Sequence, residues 1–175
     1  FYLFFFILFF PFLLFFFSFH ALKFFLFNFL TLITAFLSLL KRNKLLTKKI
    51  IIERTFAIED DSRQFSINMV LEHLEIVGNK VKNIIETLSL EKEFEEDVKI
   101  ENVKPKLNNK NQYESFKKFY QDYILFIKSL DKKQSKMRKK HPWFIEFNNF
   151  EWSVFMYMHT FIHRRQIEAI IEELK

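Results

Sequence analysis

The chain has no cysteine among its 175 residues, a single glycine and only three prolines. Without thiols there is no disulfide scaffold, no Cys nucleophile and no thiolate metal ligand, and nothing marks an oxidising compartment. So little glycine and proline argues against turn-rich β architectures. One glycine also cannot build a Gly-rich phosphate loop, and no Ser–His–Asp order stands out. A one-sided run of positive charge is missing too. The formal charge is +6, but most basic residues alternate with acidic ones along helical stretches and read as solvated helix faces. Residues 132–140 (KKQSKMRKK) are the one local basic cluster, with the look of a loop or helix end, so no nucleic-acid partner is expected.

What the chain does have is phenylalanine: 27 in all, 16 of them in the first 40 residues. Residues 1–40 carry one formally charged side chain, Lys23, and apolar windows of this length reach across a bilayer. Lys41, Arg42, Lys44, Lys48 and Lys49 follow. By the positive-inside rule they place the next domain in the cytoplasm, anchored by the segment before it. Three readings of residues 1–40 stand side by side: a transmembrane span, the first helix of a bundle, or a low-complexity translated artefact. Residues 41–175 form the remaining domain, of ordinary size.

That domain reads as all-α. Residues 50–64 lack a sustained period and predict an irregular connection. Ser66 then caps a helix with apolar positions at Ile67, Val70, Leu74, Val77, Val81, Ile84 and Leu88, steps of three and four that make a bundle seam. Gly78 lies mid-helix, where it costs roughly 1 kcal/mol against Ala, and its position predicts close approach of a neighbour. Pro105 and the Asn-rich stretch around it mark a loop. A further helix is expected from about Gln112 to Lys132, with Phe116, Tyr120, Tyr123, Ile127 and Leu130 inward. Asn148 and Glu151 have capping-box spacing for the last helix. Three seams need a fourth, which only residues from about 24 to 49 can supply.

In the last helix, Trp152, Met156, His159, His163, Gln166 or Ile167, Ile170 and Leu174 share one stripe. Two imidazoles four residues apart point the same way and can bind one metal ion. The alternative is a pair of satisfied core histidines, although two polar rings on a core stripe are costly to bury.

Residues 65–74 (FSINMVLEHL) and the terminal HPWF…EW…HxxxHxxQ pattern of residues 141–166 resemble the DinB-like superfamily. Residues 58–63 are similar to an acidic-Ser-Arg segment in one of its branches. The likeness covers roughly residues 50–175 and is weakest at 89–111. Ile145 stands where the family often has Gly, and the first helix has no match. The resemblance implies a DinB-like four-helix bundle whose two central helices are joined by a long connection. It also implies a divalent metal ion, zinc or nickel, on His73, His159 and His163.

Three imidazoles leave open coordination positions, which a catalytic metal site requires. The implied function is a metal-dependent transferase or hydrolase acting with a low-molecular-weight thiol on a small molecule. The rival is a non-enzymatic stress-response or interaction protein whose metal is structural or absent. Bundles of this kind often pair, which leaves a homodimer open. Gln166 lies one turn from His163, where it either orients a histidine or faces solvent. Arg164 and Arg165 adjoin it. His141 belongs to a packed aromatic loop with Trp143 and Phe144, and His20 has no chemical role. Glu72 and Glu75 flank His73, as a general base or as a solvated helix face.

Overall fold

Ser66 opens the first long helix as its composition requires: its hydroxyl accepts the amide of Met69 at 3.2 Å and satisfies a donor that the helix itself leaves free. In the computed structural model, residues 45–174 are described, apart from 55, 56 and 132. Helix α1 spans Ile67–Ser89, α2 spans Gln112–Ser129 and α3 spans Asn149–Glu173. Short 3-10 turns occupy Asp60–Gln64 and Ile100–Val103. A two-residue antiparallel ladder pairs β1 (Lys139–Lys140) with β2 (Glu146–Phe147). The architecture is helical with little strand. Expectations that fall on residues 1–44, a membrane span or the first bundle helix, lie outside the described residues. No helix among those described is long and apolar enough to cross a membrane.

All seven apolar positions read from the α1 period are buried. They lie against both other helices, so α1 is the centre of the described fold. The directions follow from cross-contacts. Glu75 bonds Ser115, and Lys82 lies over the ring of Phe126, so α1 and α2 run parallel. Ser89 bonds Asn149 and His73 meets His159, so α1 and α3 run antiparallel. A parallel pair cannot be joined by a tight turn; the chain must travel back along a helix about 35 Å long. Residues 90–111 make that return.

The return loop is held closely. Glu72 is buried and its carboxylate accepts the amides of Lys106 (2.9 Å), Leu107 (3.0 Å) and Asn108 (3.2 Å). Asn108 has a left-handed φ of 45°, which Asn tolerates better than most residues, and its amide group donates to the carbonyl of Thr47 at 3.0 Å. Glu75 accepts from Gln112 Nε2 at 2.7 Å and Ser115 Oγ at 2.9 Å, tying α1 to the start of α2. Both glutamates therefore differ from the solvated face expected of them: each satisfies donors on a neighbouring segment.

Helix α1 ends in a Schellman closure, with Glu91 N–H to the Leu88 carbonyl at 2.9 Å and Lys92 N–H to that of Thr87 at 3.1 Å. Glycine usually takes the left-handed position of this motif. Glu91 occupies it at φ 55°, and its carboxylate in return accepts the amides of Lys136 and Met137.

Helix α3 begins in the expected capping box. Asn148 Oδ1 accepts the amides of Phe150 and Glu151, both at 2.9 Å, and Glu151 accepts the Asn148 amide at 2.8 Å. His141 is buried against Phe144, Phe147, Trp152 and Phe155. Trp143 departs from the expected packed loop and stands 53% exposed. The turn closes with His141 N–H on the Ile145 carbonyl at 3.2 Å. Ile145 is not among the residues with positive φ, so glycine is not required there. Helix α2 stops at Ser129, short of Lys132, and also buries Phe119, which the four–three stepping passed over.

Candidate metal centre

The antiparallel crossing of α1 and α3 brings the three predicted histidines together. Their ligating nitrogens all lie within 4.8 Å of one another. His159 Nε2 is 3.2 Å from His73 Nε2 and 3.2 Å from His163 Nε2. Zn–N bonds of about 2.0–2.1 Å at tetrahedral angles place two bound nitrogens about 3.3–3.4 Å apart. The two spacings from His159 fit that figure.

The protonation pattern follows from what each ring meets on its other nitrogen. His73 Nδ1 faces the carbonyl oxygen of Val103 at 2.7 Å. A carbonyl only accepts, so Nδ1 carries the proton and Nε2 presents a lone pair. Gln166 Nε2 donates to the carbonyl of Ser62 at 2.7 Å, which leaves Gln166 Oε1 as acceptor 2.7 Å from His163 Nδ1. His163 is thereby also an Nδ1–H tautomer with a bare Nε2.

Two lone pairs are fixed toward His159. One proton on His159 Nε2 can serve only one of them well, and His159 Nδ1 is itself buried without a partner. Three rings satisfying only each other leave one Nε2 lone pair without a donor, whereas a cation among the three Nε2 atoms uses all three. The residues present fit a divalent ion.

Burial holds all three rings in the form a metal requires. It lowers the pKa of His73, against the opposing bond from Val103. It pushes His163 down to about 3, helped by His73 and opposed by Gln166. His159 is held well below its ordinary value by burial and then by His163, His73 and His141. Neutral imidazole is the ligating species. His163 is buried, whereas His73 and His159 keep partial exposure.

His141 stays outside this cluster. Burial takes its pKa to about 4, and its Nδ1 accepts the amide of Trp143 at 3.2 Å. Its ring meets Phe155 at 4.4 Å, and Phe155 in turn lies 5.4 Å from His159, forming an apolar wall on one side of the triad. Arg164 is engaged with Glu168 at 2.7 Å. No side chain marks the Val103 and Ser62 carbonyls in advance, since any residue supplies a backbone oxygen. Comparison with protein families, with curated proteins and with solved structures returns no match for this chain.

Proposed function

We propose that this chain is a DinB-like bundle protein and a metal-dependent enzyme. It holds one divalent ion, zinc or nickel, on His73, His159 and His163, and acts with a low-molecular-weight thiol on a small electrophile. One observation carries the reading: three imidazole nitrogens converge within 4.8 Å, two of them 3.2 Å from His159 Nε2 and locked as lone-pair donors by Val103 and Gln166. The parallel α1–α2 pair with its long return loop is in keeping with the bundle that the resemblance implies.

When bound, the ion supplies Lewis acidity that keeps a thiol ionised near neutral pH. The chain's own residues do the rest. Val103 and Gln166 orient two of the ligands. Phe155 and the aromatic cluster around His141 keep bulk water from one flank, which strengthens electrostatic interactions inside. The partial exposure of His73 and His159 leaves the third side for a substrate.

Elemental analysis of purified protein tests the site. About one divalent ion per native chain is expected, as for a three-histidine catalytic centre, with a large loss in His163→Ala. Adding a low-molecular-weight thiol to cobalt-loaded protein is expected to change its visible spectrum. Folded protein that takes up no metal after incubation with zinc or nickel would remove the enzyme reading. Metal uptake without a thiol-induced change would favour a structural ion.

A further inference from the structure

Glu72 and His73 are consecutive on α1, so their side chains leave the helix about 100° apart and do not share a face. Yet both end on the same stretch of return loop. His73 Nδ1 meets the carbonyl of Val103, and the Glu72 carboxylate gathers the amides of Lys106, Leu107 and Asn108. Only Lys104 and Pro105 separate the two attachment points, and proline fixes its own φ. The segment between is a short, stiff lever.

Its far end is secured again. Ser66 Oγ donates to Asn108 Oδ1, and Asn108 Nδ2 donates to Thr47. Its near end leans on the 3-10 turn through Lys104 and Asp61 at 3.3 Å. That turn also carries Ser62, whose carbonyl holds Gln166 and, through it, His163.

We propose that Glu72 is a positioning residue for the metal centre: by gripping the loop at 106–108 it sets the Val103 carbonyl on His73 and so fixes which nitrogen of that ring is free to bind. Glu72 touches no ligand. It acts through the two residues of backbone between Val103 and Lys106, in the way hydrogen-bonded groups behind a ligand set its tautomer and orientation. The inference rests on the metal reading for its consequence, but its immediate effect is on the tautomer of His73, which exists with or without an ion.

The test uses the full chain and Glu72→Gln, which keeps the shape of the side chain but turns one acceptor into an amide group that faces backbone N–H. Nitrogen-15 NMR of the imidazole rings in metal-free protein reads the tautomer directly. His73 is expected as Nδ1–H in the native chain and as a mixture in Glu72→Gln. Cobalt titration is expected to show affinity lowered about 10–100-fold, the usual consequence of losing such a partner. Glu75→Gln is the control: it loosens the start of α2 without touching the loop, and should leave the tautomer and cobalt affinity unchanged.

If Glu72→Gln does not fold, Glu72→Asp replaces it, since the shorter side chain keeps its charge but cannot reach all three amides of 106–108. An unchanged His73 tautomer in whichever variant folds overturns the proposal. So does an equal effect from Glu75→Gln, which would make the effect general loosening. Native protein that binds no cobalt defeats the metal reading alone, and the NMR arm still decides the role of Glu72.

Discussion

Gln166 has no surface exposure and spends both ends of its amide: one on the Ser62 carbonyl, the other on His163. Replacing it with Leu keeps most of the volume but leaves the Ser62 carbonyl and His163 Nδ1–H unmatched. An orphaned buried polar group costs about 1–3 kcal/mol. We expect Gln166→Leu to lower the melting temperature and to weaken zinc binding about 10–100-fold, measured by denaturation and competition with a chelator. Full affinity in a folded Gln166→Leu chain would show that His163 needs no orienting partner. Gln166 and the His159–His163 pair could be placed on one stripe by counting residues. The partner of His73 could not, because an acceptor on the main chain leaves no mark in the sequence.

The elements follow their local signals closely. The stepping of α1, the Ser66 cap and the Asn148–Glu151 box depend on short-range chemistry, so they were legible as written. The role of Glu72 was hidden for a physical reason: a carboxylate on a helix normally faces water, and only the fold shows that a loop returns over it. Gly78 lies between these cases. Its presence implied a close neighbour, and the neighbour is the ring of Phe119 on α2, with Met156 Cε of α3 at 3.1 Å from where a Cβ would sit. Gly78→Ala gains roughly 1 kcal/mol of helix propensity. It also drives a methyl group into a ring that is packed against Phe116 and Tyr123 and has little freedom to retreat. Overpacking of this kind costs typically about 1–3 kcal/mol. A net fall in thermal stability is expected; a rise would mean that Phe119 rotates away freely.

Taken as a whole, the molecule buries neutral histidines and should therefore be sensitive to acid. Folded-state values are lowered for His73 and His159 and reach about 4 for His141 and about 3 for His163. In the unfolded chain the same rings titrate near about 6.5. Between those limits the unfolded state binds more protons, so stability is complete above about pH 6.5 and falls as the pH drops toward about 4. Denaturant midpoints measured from pH 7 to pH 4 should decline steadily. His141→Phe should make the decline shallower, because that ring packs among aromatic side chains and water can take over the amide of Trp143. A flat profile would mean that the rings take up protons in the folded protein as readily as in the unfolded chain.

The bare Cα of Gly78 has one more consequence. Met156, which crowds it, precedes His159 by less than one turn, and Gly78 follows His73 by little more than one turn. The distance at which α1 and α3 cross at that point therefore also sets how far the imidazole on one helix must reach toward the pair on the other. Metal–nitrogen bonds near 2.0–2.1 Å leave little tolerance. A missing methyl group works here as a calliper: the separation of the imidazoles is gauged by a residue that has no donor atom in its side chain.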